Sequence, residues 1–174
     1  MKPLHPDDSE ALHPIVVKEE PLGYKMTLEE IKIDMAKREG WTFWDDERLI
    51  GAVTLSSFTP ELNVIIHAVI DSDYKGKWLT RRHLNQVFSY IFIDLGIRRV
   101  TGFAIPFVTT DAAKLLTAMG FDVEGVMRCG VRSKDGDYLD LVTYGLLKED
   151  CPWIMEKKDL LEWMRRRRNG GANA

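Results

Sequence analysis

The spacing of apolar residues in the second half of the chain predicts two amphipathic helices. Residues three and four positions apart share one face of an α-helix, and a glycine often follows the last turn. This spacing runs through residues 84–95, followed by Gly96, and through residues 109–120, which end in a glycine. The inward positions are Leu84, Val87, Phe88, Ile91, Phe92 and Leu95 in the first segment and Ala112, Leu115, Leu116 and Met119 in the second.

Shorter apolar runs predict strands around these helices. Segment 41–58 is typical of two strands joined by a tight acidic turn at Asp45 to Glu47, and segment 97–105 of another strand. Segment 62–71 is a near-continuous apolar run, as in a central strand that is covered on both faces. Segments 121–133 and 137–148 are predicted to pair as a hairpin, because the Asp-Gly pair between them favours a tight turn.

The first forty residues are less regular. Prolines interrupt segment 1–21, which we expect to be irregular with at most one strand. Thr27 is predicted to cap a helix, since Glu30 stands at the capping-box position, and Gly40 is predicted to end that helix. Helices that alternate with strands before a final strand pair indicate an α/β fold, with a mixed sheet and helices on both faces.

Composition restricts the class of protein. The chain has 174 residues, of which 45% are hydrophobic, so residues 1–150 are expected to form one domain with a substantial core. A net charge of -3 argues against a general nucleic-acid binder, and two cysteines are too few for a disulfide framework. With no signal-like or membrane-length apolar run, we expect a cytoplasmic protein with no membrane span.

The tail, residues 151–174, has a different character. Its apolar residues are spaced as in one more amphipathic helix, followed by the basic run Arg165 to Arg168 and an end that we expect to be frayed. The basic run stands at a helix C-terminus, where cations are favourable even without a ligand. A solvated helix end and a docking segment for a protein partner therefore both remain open. The apolar positions are Ile154, Leu160, Leu161, Trp163 and Met164.

A cluster of cations surrounds the break between segment 62–71 and the first long helix. The cluster comprises Lys75, Lys77, Arg81 and Arg82, with Gly76 in its centre. Cations at a helix N-terminus oppose the helix dipole, whereas the free backbone N–H groups there favour an anion. The cluster therefore predicts a site for a phosphate-bearing ligand, and the alternative is a solvated basic surface.

Three patterns in this order resemble the GNAT N-acetyltransferase superfamily, and in particular its branch of ribosomal-protein N-terminal acetyltransferases. The first, YKGKWLT at residues 74–80, is similar to the acetyl-CoA loop of the family. The second, TTDAAKLLTAMGFDVEGVMR at 109–128, is similar to the helix that leads into Gly-Phe and Glu-Gly. The third, GDYLDLVTYGLLKED at 136–150, is similar to the closing strand. The resemblance implies a GNAT-like acyl-CoA N-acyltransferase fold with a mostly antiparallel sheet.

The resemblance also implies acetyl-CoA as co-substrate, no metal, and direct attack by an acceptor amine in a ternary complex. The implied acceptor is a primary amine on a protein N-terminus, a lysine or a small molecule. Acidic residues around the acceptor would favour a cationic amine, and an oligomer is compatible with this family. The implied cofactor-binding residues are His67, Ala68, Val69 and Ile70 on the strand, Tyr74, Lys75, Gly76, Lys77, Trp78, Leu79, Thr80 and Arg81 at the loop, and Thr109 and Lys114 near the second helix; the acidic residues are Glu19, Glu20, Glu29, Glu30 and Asp140.

Candidate catalytic residues follow from the same alignment of motifs. His67, beside the implied thioester, is a candidate general base, and a buried histidine with satisfied hydrogen bonds is the alternative. Tyr138, Asp140 and Tyr144 occupy alternate positions of the last strand and therefore share one face. They are candidate acceptor contacts, and a cross-strand polar ladder is the alternative. Cys129 is expected to be a small core residue.

Several positions depart from the usual motif of the family. Trp78 replaces the second loop glycine, and we expect it to be a hydrophobic plug rather than a stacking partner for adenine. Asp73 places a negative charge beside the loop, and Thr109 stands where an asparagine is common. These departures leave an alternative function open, in which the chain is a catalytically inactive GNAT-fold binding or assembly module.

Overall fold

The computed structural model describes residues 1–76 and 78–155. The expected tail helix beyond residue 155, with its basic run, and the predicted contribution of Lys77 lie outside the described residues. The helices are α1 (Ser9–Glu19), α2 (Leu28–Met35), α3 (Arg81–Ser89, continued by a π-helical turn at Tyr90–Asp94) and α4 (Thr110–Ala118); the strands are β1 (Lys2–Pro3), β2 (Glu39–Asp45), β3 (Arg48–Thr59), β4 (Asn63–Ile70), β5 (Arg99–Ala104), β6 (Asp122–Arg132) and β7 (Tyr138–Leu147).

The strands form one seven-stranded sheet in the order β1-β2-β3-β4-β5-β7-β6. All neighbouring pairs are antiparallel except β4 and β5, which are parallel. The two parallel strands pair only from Asn63 to Ile65, opposite Arg99 to Thr101. β4 continues to Ile70 while it remains paired with β3, so β4 and β5 separate beyond Ile65 and leave a gap in the middle of the sheet.

Helices cover both faces of the sheet, each over its own hydrophobic cluster. On one face α3 and α4 pack over a core that includes the fully buried Phe88, Phe92 and Val100. On the other face α1 and α2 pack over Leu49 and Ala52 of β3. The predicted fold, a mixed and mostly antiparallel sheet flanked by helices, is confirmed.

The helices predicted from apolar periodicity are present, and the structure accounts for where they begin and end. Thr80 caps α3 by accepting a hydrogen bond from the His83 N–H (3.2 Å), and Gly96 follows the π-helical turn with a φ of 66°. α4 is followed by Gly120 with a φ of 100°. Left-handed backbone of this kind costs glycine little, which explains why both helices end there.

Two expectations for the N-terminal region are wrong. Residues 9–19 form helix α1 around Pro14, because Leu12 and Ile15 fall three positions apart and bury against the sheet. Helix α2 has the predicted capping box of Thr27 and Glu30, but it ends at Met35 rather than near Gly40. Gly40 lies in β2, where a Cβ atom would stand 2.2 Å from the Val53 carbonyl oxygen, so close strand packing explains this glycine.

Two further expectations concern burial. The strand β4 is not covered on both faces, because His67 and Ala68 are exposed beside the gap. Cys129 is exposed rather than part of the core, and it has a φ of 55° in a bulge where the pairing of β6 with β7 shifts register. Its backbone N–H donates to Asp140 Oδ1 (2.9 Å), which holds the bulge.

Candidate functional site

Unpaired backbone groups of β4 line the gap between β4 and β5. Asp71 N–H donates to the Ile50 carbonyl on the β3 side (2.8 Å), and the Leu62 carbonyl accepts from Arg99 N–H on the β5 side (2.9 Å). Because backbone groups alternate in direction along a strand, those of even-numbered residues face β5. Pairing with β5 ends at Ile65, so the N–H and C=O groups of Ala68 and Ile70 face the gap.

The predicted phosphate loop, residues 74–80, lies at the end of this gap where β4 leads into α3. Gly76 has a φ of 79°, and a Cβ atom there would meet no atom within 4 Å, so the loop is open on that side. The backbone N–H groups of Gly76, Trp78 and Leu79 have no hydrogen-bond acceptor among the described residues. Free donors at a helix N-terminus form a suitable environment for an anion.

Trp78 points away from the loop and into the core. Its side chain is 6% exposed, and its ring packs edge-on against Phe43 with 4.8 Å between ring centroids. The Trp78 carbonyl contacts His83 Nδ1 at 3.2 Å. The expectation of a hydrophobic plug is confirmed, and the indole anchors the loop rather than covering the groove in front of it.

The cationic side chains around the loop are partly engaged by carboxylates. Lys75 Nζ lies 3.2 Å from Glu19 Oε2 and 3.9 Å from Asp111 Oδ2. Arg81 is exposed and lies over the Trp153 ring, 5.7 Å from its centroid. An anion that binds the loop would therefore draw Lys75 away from its existing carboxylate partners.

Asp71, at the end of β4, is held by two cations from other elements. Its carboxylate accepts from Lys18 Nζ (2.8 Å) and Arg48 Nη2 (2.7 Å), and it is 5% exposed. The Lys18 hydrogen bond, followed by the Asp73 backbone N–H, lowers the pKa of Asp71 against the opposing effect of desolvation. A fully ionised Asp71 thus ties α1 and β3 to the first residue of the loop.

A cavity of about 250 Å³ opens beside the gap, between α1, α2 and the sheet. Ala68 forms part of its wall, so the cavity adjoins the free backbone groups of β4. We call it the α1–α2 pocket. Its apolar side consists of Leu12, Val16, Met26, Ile31, Met35 and Val69, and its polar side chains are Asp34, Arg38, Thr54 and His67.

His67 occupies the polar side of this pocket. Its Nε2 lies 2.8 Å from Ser56 Oγ. Desolvation by the pocket walls, with the nearby positive charge of Arg38, lowers the pKa of His67 to about 4, although the residue keeps solvent contact. Asp34 and Arg38, which also line the pocket, form an ion pair with 2.7 Å between Arg38 Nε and Asp34 Oδ2. The geometry of this pair does not meet that of a hydrogen bond. His67 is therefore neutral near pH 7 and faces a neutralised ion pair.

The structure does not bring the three predicted catalytic residues together. Alternation along β7 places Tyr138 and Asp140 on the same face as the buried Tyr144, which is the α3–α4 face. His67 lies on the α1–α2 face. The Asp140 carboxylate accepts the Cys129 N–H, and the exposed Tyr138 ring lies under Arg132, so both have structural partners within the hairpin.

The remaining predicted contacts lie at the rim of the gap. The Thr109 hydroxyl accepts a hydrogen bond from the Ile105 N–H (2.6 Å) and so closes the turn after β5. Its side chain makes no capping hydrogen bond to α4. Lys114 is exposed and approaches Asp111 at 3.9 Å. Tyr74 and Leu79 are partly buried against the core, and the Thr80 hydroxyl is used as a helix cap.

The carboxylates that were expected to attract a cationic amine are mostly engaged elsewhere. Glu30 completes the capping box of α2, and Glu20 accepts the N–H groups of Leu22 (3.0 Å) and Tyr24 (2.7 Å). Asp34, which the sequence did not single out, is the carboxylate that lines the pocket. Only the i, i+4 spacing of Asp34 and Arg38 on a helix could have suggested the pair from the sequence.

Several solved structures of acetyltransferases resemble this chain. A GNAT-family acetyltransferase from Bacillus anthracis has a TM-score of 0.69 and 17% identity, over 85% of this chain and 93% of that chain. The ribosomal-protein-S5-alanine acetyltransferase from Vibrio fischeri has a TM-score of 0.67 and 20% identity, over 87% and 92%. The ribosomal L7/L12 α-N-protein acetyltransferase RimL, in complex with coenzyme A, has a TM-score of 0.71 and 16% identity, over 84% and 92%. The likeness establishes the fold of GNAT acetyltransferases.

No protein-family model matches the sequence, and no curated protein sequence matches it either. Within the described residues, no group of three or more His, Cys, Asp and Glu side chains is arranged to hold a metal ion. Across residues 1–76 and 78–155, no helix has the length and apolar character needed to cross a membrane.

Proposed function

We propose that this GNAT-fold chain is an N-acetyltransferase that uses acetyl-CoA to acetylate a primary amine. The observation that carries the proposal is the gap in the sheet, whose free backbone groups at Ala68 and Ile70 lie between a loop of free N–H donors and the α1–α2 pocket. One path thus connects a loop of free N–H donors, the unpaired backbone groups of β4 and a cavity of about 250 Å³, which supports the proposal.

The residues present fit the parts of acetyl-CoA in order along this path. The N–H groups of Gly76, Trp78 and Leu79 would hold the pyrophosphate, and the edge of β4 at Ala68 and Ile70 would hold the pantetheine arm. When bound, the thioester supplies the acetyl group. A β4 backbone N–H that faces the thioester carbonyl would stabilise the negative charge that develops there during attack. The C–N bond would form as the C–S bond breaks, and CoA would leave as the thiol with the proton that the amine loses.

The acceptor amine would enter through the α1–α2 pocket, with Asp34 as its carboxylate partner. The amine must be neutral to attack, and a His67 side chain with a pKa of about 4 is a weak base for an ammonium group. An α-amino group has a pKa near 7.7–8.0 and a lysine amine near 10.4, so at pH 7 the neutral fraction of the α-amine is roughly 300-fold larger. This difference favours an α-amino group as the acceptor.

The test compares two peptides that differ at one position and at the N-terminus. One has a free N-terminus and no lysine, and the other has a blocked N-terminus and a single lysine. The purified chain is incubated with acetyl-CoA and each peptide, and mass spectrometry locates the acetyl group. We expect acetylation of the α-amine to dominate at neutral pH, and the ε-amine to gain relative rate as pH rises. If CoA binds but no amine is acetylated, the chain is a binding module and the proposed activity is wrong.

A further inference from the structure

The carboxylate of Glu19 lies between the phosphate loop and the segment that follows α1. Its Oε1 accepts the Ser72 N–H (3.0 Å), and its Oε2 lies 3.2 Å from Lys75 Nζ. The side chain is only 13% exposed. Desolvation would raise the pKa of Glu19, but the hydrogen bonds from Ser72 and Lys75 outweigh it and the net pKa is lowered. Glu19 is therefore a charged group held by Lys75 of the loop and by Ser72 just before it, with Lys18 of its own helix 3.7 Å away.

The chain directly after Glu19 crosses from α1 to the β6–β7 hairpin. Glu20 holds the N–H groups of Leu22 and Tyr24, which folds residues 20–24 into a compact turn. The Leu22 carbonyl accepts the Lys134 N–H (2.9 Å), and the Tyr24 hydroxyl donates to the Arg132 carbonyl (3.1 Å). Met26, two residues further on, lines the α1–α2 pocket. Segment 20–26 thus connects Glu19 to the wall of the pocket in which the acceptor would bind, at Met26.

We propose that Glu19 is a positioning residue that couples binding of acetyl-CoA at the loop to the conformation of segment 20–26, and so to the acceptor pocket. This inference rests on the proposed function. A pyrophosphate at the loop attracts Lys75 and repels the Glu19 carboxylate, so the bond between them weakens as the cofactor binds. The end of α1 and the segment attached to it then adjust, and the acceptor meets a pocket that the cofactor has already reshaped.

The thermodynamic basis is a difference in contacts between two states. A ligand shifts a conformational equilibrium only by as much as it binds one state better than the other. Here the difference is the nearest partner of Lys75, which is Glu19 (3.2 Å, with Asp111 at 3.9 Å) without the anion and would be the phosphate with it. Because coupling is reciprocal, an acceptor that orders segment 20–26 must change the affinity for the cofactor by the same factor.

Hydrogen exchange of the full chain, with and without CoA, tests this coupling without knowledge of the acceptor. The variants are Glu19→Gln, which keeps an oxygen for the Ser72 N–H and removes the charge, and Lys75→Gln, which removes the cation. Glu10→Gln is the control, since Glu10 is exposed at the start of α1. We expect CoA to change exchange in segment 20–26 of the wild type and of Glu10→Gln. In Glu19→Gln we expect CoA to bind without that change, and in Lys75→Gln the change is also lost.

Each outcome separates the coupling from the proposed function. If CoA binds the wild type and leaves exchange in segment 20–26 unchanged, the coupling is wrong and the proposed function stands. The same conclusion follows if Glu19→Gln responds to CoA as the wild type does. If CoA does not bind the wild type at all, the proposed function fails and the coupling fails with it.

Discussion

At the residue scale, existing hydrogen bonds decide which polar side chains remain for a ligand. Thr80 caps α3, Asp140 holds the bulge at Cys129, and Glu30 caps α2, so each of these has a structural role. His67 and Asp34 face an open pocket and are the polar groups best placed for an acceptor. Under the proposed function, chemistry at this site would depend more on backbone donors and on the pKa of the acceptor than on a strong side-chain base.

The lowered pKa of His67 has a consequence for stability. The folded state holds this pKa at about 4 against 6.5 in the unfolded chain, so the unfolded state binds more protons between these values. The stability contributed by neutral His67 is complete above pH 6.5 and is lost as pH falls toward 4. We expect His67→Gln to flatten this part of the stability profile, measured by urea unfolding across that pH range.

His5→Gln, which removes an imidazole near the N-terminus, serves as its control and should leave the slope in place. The groups that face His67 from α2 are Arg38 and Asp34, and both remain in the variant. An unchanged slope in His67→Gln would show that the pocket does not disfavour the charged imidazole.

Trp78 yields a prediction about folding rather than binding. Truncation of a buried tryptophan removes apolar contacts and leaves a cavity, which typically costs about 3–5 kcal/mol. We expect Trp78→Ala to lower the free energy of unfolding by this amount in denaturant titrations, since the indole is 6% exposed and packs against Phe43. Phe107→Ala is the matched control, because Phe107 is 97% exposed and should change stability by no more than about 0.5 kcal/mol. Equal effects of the two substitutions would contradict the placement of Trp78 in the core.

At the element scale, the separation of β4 from β5 creates the site. Pairing stops at Ile65, and α3 begins at Arg81 on one side of the gap while α4 begins at Thr110 on the other. The two helix N-termini and the unpaired edge of β4 therefore lie around one groove. The groove exists because β4 and β5 stop pairing at Ile65, well before β4 ends at Ile70.

The unpaired edge of β4 can be observed directly. We expect the amide protons of Ala68 and Ile70 to exchange rapidly in the free chain and to be protected when CoA is bound, because a pantetheine arm would accept their hydrogen bonds. The amide of Asp71, which donates to the Ile50 carbonyl, is the internal control and should exchange slowly in both states. Strong protection of Ala68 and Ile70 without CoA would show that the gap is closed in solution.

The elements with a clear apolar period were predictable from the sequence, and the site was predictable only in part. Strands β2 to β7 and the helices α3 and α4 follow from local pattern and from terminal glycines, whereas phosphate binding at the loop stays a prediction. Helix α1 was missed because Pro14 and its neighbours weaken the local signal, while burial of Leu12 and Ile15 decides the outcome. The pairing of Glu19 with Ser72 joins residues 53 positions apart, and no local pattern encodes such a contact.

At the scale of the whole molecule, the two faces of the sheet differ: one carries the large core and the loop, and the other carries the α1–α2 pocket. Helices α3 and α4 cover a large core on one face and hold the loop, whereas α1 and α2 leave a pocket on the other. The gap between β4 and β5 connects the two faces at one point. A cofactor and an acceptor that approach from opposite sides would meet there, as direct transfer in a ternary complex requires.

The central claim is that the gap and its loop bind acetyl-CoA, and titration calorimetry of the purified chain with acetyl-CoA and with CoA tests it most directly. Gly76→Asn and Gly76→Asp form a matched pair, since both place a side chain in the open space at a φ of 79° and asparagine tolerates this backbone well. We predict saturable micromolar binding to the wild type, retained in large part by Gly76→Asn and lost in Gly76→Asp through charge repulsion of the pyrophosphate. Absence of binding to the wild type at millimolar ligand would contradict the account.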